Sequence, residues 1–285
     1  MSVFDRDLLT GKTKVEVAIS RVKNFCTGKK TLVAFSGGKD SQCCYHICKE
    51  AGIDFDAQYS ITRFEPPELI QFIRKNYPDV TFRRAYKRSL VEDIGYFGLP
   101  NRWYRWCCDA KHKKTEGFDI AVIGVRAAES ARRANNWRIF GQKRDRSFYV
   151  CPIFDWTDAD VWEYLNRLGV PHCQLYDEGF TRIWCVCCPL APTKMRRDAA
   201  RWPKIANMLY LGFCKNWEKA VACSGKTTRG KPYRMLEWGT SRAAFEHWLD
   251  TGMTIKDLNR VNDEPCLFAG TGFSESDGVE EGGVK

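Results

Sequence analysis

The sequence contains no uninterrupted apolar run of the about 20 residues that a membrane-spanning helix requires. The amino-terminal segment MSVFDRDLLTGKTK contains no apolar stretch typical of a secretory signal peptide. Internal repeats are absent, and the four histidines show no metal-ligand spacing. We therefore expect a cytoplasmic protein with no membrane partner, and we exclude repeat architectures and histidine-based metal sites.

The composition is that of a folded protein. Of its 285 residues, 44% are hydrophobic and 13% are aromatic, enough for a large core. We expect a nucleotide-binding α/β domain at 1–170 and a cysteine-rich, helical region at 171–262. The residues from 263 to 285 are rich in glycine, serine and acids, which predicts a disordered tail.

The charge is unevenly distributed. The formal net charge is +10, although the segment 263–285 contains six acids and one base. The rest of the chain therefore carries +15, which favours a polyanionic partner such as nucleic acid, or a phosphate-rich small substrate. Ordinary solubilising charge is the alternative.

Fourteen cysteines are present. In a chain without a secretory signal, metal or redox chemistry explains them better than disulfides, because the cytosol keeps thiols reduced.

Short apolar runs alternate with helical patterns along the first half of the chain. This alternation predicts a doubly wound parallel sheet with helices on both faces and a helical, cysteine-rich appendage after it. The predicted strands are 31–35, 55–60, 80–83 and 119–125, and the predicted helices are 14–26, 39–51, 66–76, 157–168, 194–222 and 241–250.

A glycine-rich turn joins the first predicted strand to the helix at 39–51, and its sequence is Ser36-Gly37-Gly38-Lys39-Asp40-Ser41. Glycines let the backbone approach an anion, and the following helix presents free N–H groups and its positive end. The G-x-x-x-x-G-K-S/T spacing of a Walker A loop is absent. A turn without a ligand is the alternative.

This turn resembles the pyrophosphate loop of the adenine nucleotide alpha-hydrolases, which cleave ATP between the alpha and beta phosphates. The resemblance implies that Asp40 helps to hold Mg²⁺. It also implies contacts to the pyrophosphate from Ser36, Gly37, Gly38, Lys39 and Ser41.

A second basic motif follows the strand at 119–125. The segment 124–133 is similar to the G-x-R-x-x-E-S-x-x-R signature of the phosphoadenosine phosphosulfate (PAPS) reductase-like branch of that superfamily. The resemblance implies that Arg126 and Arg133 bind phosphate or sulfate oxygens and that Glu129 orients one of them. It also implies that Lys39, Asp40 and Arg126 are the catalytic residues. A solvated helix face with a Glu129–Arg133 ion pair is the alternative.

Two cysteine groups also resemble this family, Cys107-Cys108 and the segment Cys185-Val-Cys187-Cys188. The resemblance implies a [4Fe-4S] cluster held by Cys107, Cys108, Cys185 and Cys188. Adjacent cysteines suit a cube better than one zinc ion, since each can bind a different iron. Zinc and plain buried or redox-active thiols remain alternatives. Other candidates for the fourth ligand are Cys187, Cys214 and Cys223, and the cysteines predicted to be structural are Cys26, Cys43, Cys44, Cys48, Cys151, Cys173 and Cys266.

Two features of the sequence bear on the substrate. The E-C-G-x-H-type motif that carries the nucleophilic cysteine of sulfonucleotide reductases is absent, whereas SGGKDS is intact. We therefore predict an ATP pyrophosphatase that activates an acceptor for iron–sulfur-dependent sulfur transfer. Its expected analogues are enzymes of DNA phosphorothioation and then of tRNA thiolation, which implies DNA or tRNA and a cysteine desulfurase or another sulfur donor as partners. The alternatives are an APS or PAPS reductase and an ATP-dependent nucleic-acid-binding accessory protein.

Two basic segments are candidate nucleic-acid contacts. The run from Arg102 to Trp106, with Lys111, Lys113 and Lys114, has aromatic and basic residues that suit base stacking and backbone neutralisation. Core packing of Trp103 and Trp106 is the alternative. The loop 225–234 is the second candidate, and a solvated loop is its alternative.

Overall fold

The structure, a computed structural model, describes residues 2–84, 86–112, 117–143 and 146–254. Several sequence predictions fall on residues outside these ranges, namely the acidic tail 263–285, Cys266, Lys113 and Lys114. No helix in the described ranges is both long enough and apolar enough to cross a membrane.

The described strands form one six-stranded sheet in the order β3-β2-β1-β4-β6-β5. All neighbouring strands are parallel except β5, which pairs antiparallel with β6 at the edge. This confirms the predicted doubly wound α/β fold. The strands are β1 (Thr31–Ala34), β2 (Phe55–Ile61), β3 (Thr81–Arg84), β4 (Ile120–Val122), β5 (Phe140–Gln142) and β6 (Phe148–Val150).

The helices begin at recognisable caps. The hydroxyls of Thr13, Ser89 and Thr157 each accept a backbone N–H in a capping box, which satisfies donors at the start of α1, α4 and α7. The described helices are α1 (Lys14–Cys26), α2 (Lys39–Ala51), α3 (Pro67–Asn76), α4 (Leu90–Phe97), α5 (Trp106–His112), α6 (Ala131–Asn136), α7 (Asp158–Arg167), α8 (Pro192–Arg201), α9 (Pro203–Ala222) and α10 (Ser241–Thr251).

The structure differs from the predicted elements in three ways. Apolar periodicity alone did not indicate α4, α5, α6 or the antiparallel pair β5–β6, which are all short. The predicted strand 119–125 is limited to Ile120–Val122. The helical pattern at 194–222 divides at Trp202, because Pro203 cannot donate a backbone hydrogen bond to the preceding turn.

One hydrophobic core runs from the sheet into the carboxyl-terminal helices. It includes Val33 of β1, Ile94 of α4, Phe213 of α9 and Trp248 of α10. The domain boundary at residue 170 stays a prediction.

Glycines allow α4 and α9 to pack closely. A Cβ on Gly212 would lie 2.7 Å from the Ile94 Cβ and 2.9 Å from the Val91 carbonyl oxygen. A Cβ on Gly95, which lies on α4, would meet only the Lys215 Cβ within 3.4 Å, at 3.3 Å.

We expect Gly212→Ala to lower the free energy of unfolding by about 1–2 kcal/mol, because overpacking outweighs the gain in helix propensity. Gly95→Ala, the matched control, should change it by less than about 1 kcal/mol. Urea denaturation of both variants checks this. Equal effects of the two substitutions would contradict the close packing at Gly212.

Candidate functional site

The glycine-rich turn lies at the carboxyl end of β1 and leads into α2. Gly37 has a φ of +73°, and a Cβ there would lie 2.6 Å from the Ile73 Cδ1, so the position requires glycine. The Ser41 hydroxyl accepts a hydrogen bond from the Ser36 N–H at 3.1 Å and donates to the Gly38 carbonyl at 2.8 Å. Gly38, the residue before α2, has no side chain that could cap the helix, so the N–H groups of the first turn need acceptors from elsewhere in the protein or from a ligand.

Lys39 is buried, with 4% of its surface exposed. Its Nζ lies 3.2 Å from an Asp158 carboxylate oxygen and 3.9 Å from one of Asp40, and it donates to the Thr181 carbonyl at 3.2 Å. The ammonium is therefore compensated within the protein by two carboxylates and a carbonyl oxygen.

Arg126 lies at the carboxyl end of β4 and faces the same site. A Cβ on Gly124 would lie 2.9 Å from the Asp40 carbonyl, so glycine is what lets this segment approach α2. Arg126 is 3% exposed; its Nε donates to Asp40 Oδ1 at 2.6 Å and its Nη2 to Asp158 Oδ1 at 2.7 Å. Burial opposes its charge, but the two carboxylates outweigh burial and raise the pKa of Arg126. The structure thus brings together all three residues that the sequence analysis names as catalytic.

Asp158 is a member of this site that sequence reasoning missed. Its position after Thr157 indicated only a favourable acid at the start of α7. Burial opposes its ionisation, yet Lys39 and Arg126 outweigh that effect and hold the pKa of Asp158 below its usual value.

Tyr176 is a second member that the sequence did not reveal. Its hydroxyl accepts a hydrogen bond from the Lys39 backbone N–H at 3.0 Å. That N–H is one of the donors that a phosphate at this turn would use. The tyrosine hydroxyl therefore takes the place of a ligand oxygen in this structure, and a phosphate must displace it.

Glu129 holds two arginines. Its side chain is 10% exposed and accepts from Arg133 Nη1 at 2.8 Å and from Arg182 Nη1 at 3.0 Å. The Arg126 backbone N–H donates to the same carboxylate at 3.1 Å. The ion pair of the alternative interpretation exists, but Glu129 does not lie on a solvated helix face. The contribution of Arg182 was not foreseen.

The four cysteines proposed as cluster ligands interact with one another. Cys107 and Cys108 lie on α5, and the hydrogen bond from Cys107 lowers the pKa of Cys108 to about 7. The pKa of Cys107 is raised, chiefly by that hydrogen bond and by burial, with further contributions from Cys185 and Cys188. Two distant segments therefore place their thiols within electrostatic range.

Lys111 adds a positive charge to this group of thiols. Its Nζ donates to the Cys185 Sγ at 3.1 Å and lies 3.3 Å from a Glu65 carboxylate oxygen. Burial raises the pKa of Cys185, and the Lys111 ammonium opposes that rise.

The thiols of the other candidates for the fourth ligand have other hydrogen-bond partners or are exposed. The Cys187 thiol donates to the Met195 carbonyl at 3.6 Å inside the core. The Cys214 Sγ lies 3.8 Å from the Ser241 hydroxyl, and Cys223 is exposed at the end of α9.

The donor types suit the two inorganic groups that the family resemblance implies. Across the described ranges, no three His, Cys, Asp or Glu side chains are arranged around a single metal ion. In a [4Fe-4S] cube each thiolate binds a different iron, so the four mutually interacting thiols fit that chemistry. The carboxylates of Asp40 and Asp158 are hard oxygen donors suited to Mg²⁺.

The aromatic run 102–106 is partly core. Trp106 is 2% exposed, packs on Phe64 and Phe97, and donates its indole N–H to the Gly98 carbonyl. Trp106 therefore packs in the core, as the alternative interpretation expects, and its ring is not available to stack on a base. Trp103 is half-buried.

Comparison with known protein families identifies the family of this chain. Residues 30–191, more than half of the chain, match the phosphoadenosine phosphosulfate reductase domain. The chain belongs to this family. The matched region includes the glycine-rich turn, the segment 124–133 and both cysteine groups.

Similar curated proteins include an uncharacterized protein of Methanocaldococcus jannaschii, 31% identical over 199 residues, which are 64% of this chain and 42% of that protein. An adenosine 5'-phosphosulfate reductase of Shouchella clausii is 26% identical over 63% of this chain and 79% of its own length. The adenosine 5'-phosphosulfate reductase of Staphylococcus haemolyticus is 36% identical over 48% of this chain and 60% of its own length. The matched region thus spans less than half of the Methanocaldococcus protein.

Solved structures with a similar fold include a phosphoadenylyl-sulfate reductase of Candida auris, with a TM-score of 0.46 and 14% identity, covering 62% of this chain and 90% of that one. An FMN adenylyltransferase of Candida glabrata gives a TM-score of 0.43 at 17% identity. The match covers 61% of this chain and 63% of that one.

We expect Tyr176→Phe to strengthen the binding of inorganic pyrophosphate by about 2- to 10-fold, because a ligand no longer competes with the hydroxyl for the Lys39 N–H. Isothermal titration calorimetry measures the effect. Tyr96→Phe, at an exposed tyrosine on α4, is the control and should leave the affinity unchanged. Weaker binding by Tyr176→Phe would show instead that the hydroxyl assists the ligand.

Proposed function

We propose that the chain is a PAPS reductase-family ATP pyrophosphatase that converts ATP to AMP and pyrophosphate. The adenylate activates an acceptor for sulfur transfer. The observation that carries the proposal is the buried contact between Arg126 and Asp40 directly beside Lys39 and the glycine-rich turn. Cations, a carboxylate and open N–H donors at one helix start form the environment that a leaving pyrophosphate requires.

Each residue of the site has a role that follows from its charge and its hydrogen-bonding groups. Lys39 and Arg126 neutralise the charge that develops on the leaving pyrophosphate, and the Ser36 and Ser41 hydroxyls with the loop N–H groups position it. Asp40, with Asp158 beside it, would hold Mg²⁺, which when bound would supply positive charge that polarises the phosphates. The carboxylates now paired with Arg126 become available as the phosphates take their place.

The proposed reaction has two steps that balance without an oxidant or a reductant. An acceptor oxygen attacks the alpha phosphorus of ATP, so that a new P–O bond forms and the bond to the pyrophosphate breaks. A sulfide-level donor then attacks the activated acceptor and releases AMP. The acceptor oxygen leaves with the AMP.

The thiol group is the proposed site of the sulfur step. Cys107, Cys108, Cys185 and Cys188 would hold a [4Fe-4S] cluster, which when bound supplies iron that can carry sulfide. The side-chain ammonium of Lys111 beside Cys185 stabilises negative charge on the sulfur atoms.

The proposed acceptor is nucleic acid, either DNA or tRNA. A cysteine desulfurase is a candidate sulfur source, provided that a thiol reductant supplies the two electrons that convert its persulfide sulfur to the sulfide level. The surplus of positive charge supports a polyanionic acceptor. The half-buried Trp103 and the exposed loop 225–234 are the contact candidates that the structure leaves available.

A second candidate function is favoured by the relatives. Several similar proteins are named adenosine 5'-phosphosulfate reductase. The activity would be the reduction of a sulfonucleotide to sulfite and would need a nucleophilic cysteine outside the cluster. Cys266, which lies outside the described residues, is the candidate for that role.

Product analysis separates the two functions. We expect AMP and pyrophosphate from ATP, and at least about a 100-fold loss of this activity in Lys39→Ala and Asp40→Ala. The first substitution removes a cation that stabilises the leaving pyrophosphate, and the second removes a proposed ligand of Mg²⁺. Lys49→Ala is the matched control, since Lys49 lies at the other end of α2 and pairs with Asp79.

The outcomes of this experiment are distinct. ADP as the product contradicts the proposal directly. Thioredoxin-dependent release of sulfite from adenosine 5'-phosphosulfate, lost in Cys266→Ser, would support the reductase instead.

The cluster is tested separately from ATP cleavage. We expect about four irons and four sulfides per chain after purification without air, and loss of both in Cys185→Ser and Cys188→Ser. Cys223→Ser, at an exposed cysteine, is the control and should retain them. Stoichiometric zinc without iron would contradict the proposed cluster.

A further inference from the structure

We propose that a surface where α4 meets α9 binds single-stranded nucleic acid. This Tyr96 surface consists of Arg88, Tyr96, Lys215 and Lys219, none of which lies in the two basic segments that the sequence analysis names as nucleic-acid contacts. Its role as the place where the acceptor strand is held rests on the proposed function, but the binding itself does not.

The Tyr96 surface has an exposed aromatic ring with two cations beside it. Tyr96 is 57% exposed, although the Arg88 guanidinium carbon lies 4.5 Å and the Lys219 ammonium 5.3 Å from the centroid of its ring. An aromatic ring that is open to solvent can stack on an unpaired base of any type. The bases of a duplex are already stacked on one another, so the ring favours a single strand.

The cations of the Tyr96 surface are available to phosphate groups. Arg88, Lys215 and Lys219 are exposed, and none of them forms an ion pair with a carboxylate in the part of the chain that the structure describes. Glu92 lies close enough for the charges of Lys215 and Arg88 to lower its pKa, although the main cause is the hydrogen bond from the Ser89 N–H. That carboxylate accepts from Ser89 in the capping box of α4. The surface therefore carries a surplus of positive charge, which attracts phosphodiesters.

Packing against the core supports the ring and the backbone beside it. The Tyr96 ring meets the Phe97 ring edge-on at 4.8 Å, and Phe97 stacks on Trp106 at 4.9 Å. The Arg88 backbone carbonyl accepts a hydrogen bond from Arg63 Nη1. Because these groups are already held in place, a bound strand has less ordering to impose on the protein.

The Tyr96 surface begins at the same edge of the sheet as the glycine-rich turn. Arg88 follows the carboxyl end of β3, which lies two strands, or about 10 Å, from β1. The Tyr86 hydroxyl, in the same connection, donates to the Trp106 carbonyl at 3.1 Å and so joins it to α5, the helix that carries two of the proposed cluster ligands. A strand held on this surface would therefore be near both parts of the proposed site.

Fluorescence anisotropy with a short labelled single-stranded DNA oligonucleotide tests the ring. We expect the wild-type chain to bind it and Tyr96→Ala to weaken binding about 5- to 10-fold, because one base loses its stacking partner. Tyr96→Phe should retain the wild-type affinity, since the ring and not the hydroxyl makes the contact. No binding by the wild-type chain, or equal affinities of the wild-type chain and Tyr96→Ala, overturns the proposal.

The salt dependence of binding tests the cations. We expect Lys219→Gln to reduce the slope of log affinity against log salt concentration by about 0.7, the contribution of one phosphate contact to a single strand. Lys204→Gln is the matched control, because this exposed lysine lies about 22 Å away along the axis of α9. It removes the same charge and should leave the slope unchanged. Equal changes in both variants would mean that only net charge matters and would overturn the proposal.

Competition experiments identify the class of the ligand. Unlabelled single-stranded DNA and RNA of the same sequence separate the two possible acceptors, while duplex DNA and polyglutamate test other polyanions. We expect at least one single strand to compete about 10-fold better than the duplex and polyglutamate. Equal competition by the duplex or by polyglutamate overturns the proposal.

The failure of this proposal can be distinguished from failure of the proposed function. Binding that depends on Tyr96 without formation of AMP from ATP supports the surface and contradicts the proposed function. Formation of AMP and pyrophosphate together with binding that does not depend on Tyr96 overturns the surface and leaves the ATP chemistry in place.

Discussion

The buried Arg126 guanidinium is the contact on which the rest of the site depends. One planar group reaches Asp40 at the start of α2 and Asp158 at the start of α7, while its own backbone continues β4. The Arg126 side chain is 3% exposed and that of Asp40 is 20% exposed, whereas the Asp158 side chain is 59% exposed. Removing Asp40 would therefore leave a buried guanidinium without its better-buried counter-charge, which costs more than the loss of a surface ion pair. The arginine therefore fixes three elements relative to one another, and the glycine-rich turn is held where its N–H groups face the same point.

A single short segment, 173–188, joins the turn to the thiols. Tyr176 and the Thr181 carbonyl contact Lys39, Arg182 contacts Glu129, and the same segment then supplies the cysteines. If a ligand displaces Tyr176, it acts on the segment that positions Cys185. Coupling through a shared element is reciprocal, so under the proposed function we expect the state of the proposed sulfur site to influence nucleotide affinity by the same free energy.

The features that could be predicted from the sequence are those formed by residues close together in the chain. The turn, the helix that follows it and the neighbouring cysteines depend on residues close in the chain, and glycine stereochemistry or ligand spacing is enough to recognise them. Asp158, Tyr176 and Arg182 were missed because each acts through a contact with a residue 32 to 137 positions away. Such contacts depend on how segments that are distant in the chain pack together, for which periodicity gives no signal. The short helices α4 and α5 were missed for the related reason that they contain too few turns.

The internal partners of the site also bear on its selectivity. Lys39 and Arg126 cannot remain buried without compensation, so Asp40 and Asp158 serve as counter-charges and the Thr181 carbonyl accepts from the Lys39 ammonium. A ligand must replace these contacts to bind, which lowers its net affinity. A singly charged anion would gain little from that exchange. A polyphosphate with a cation brings several charges at once and gives the released carboxylates a new partner. If the proposed function holds, we therefore expect the arrangement to favour a metal-bound polyphosphate over simple anions.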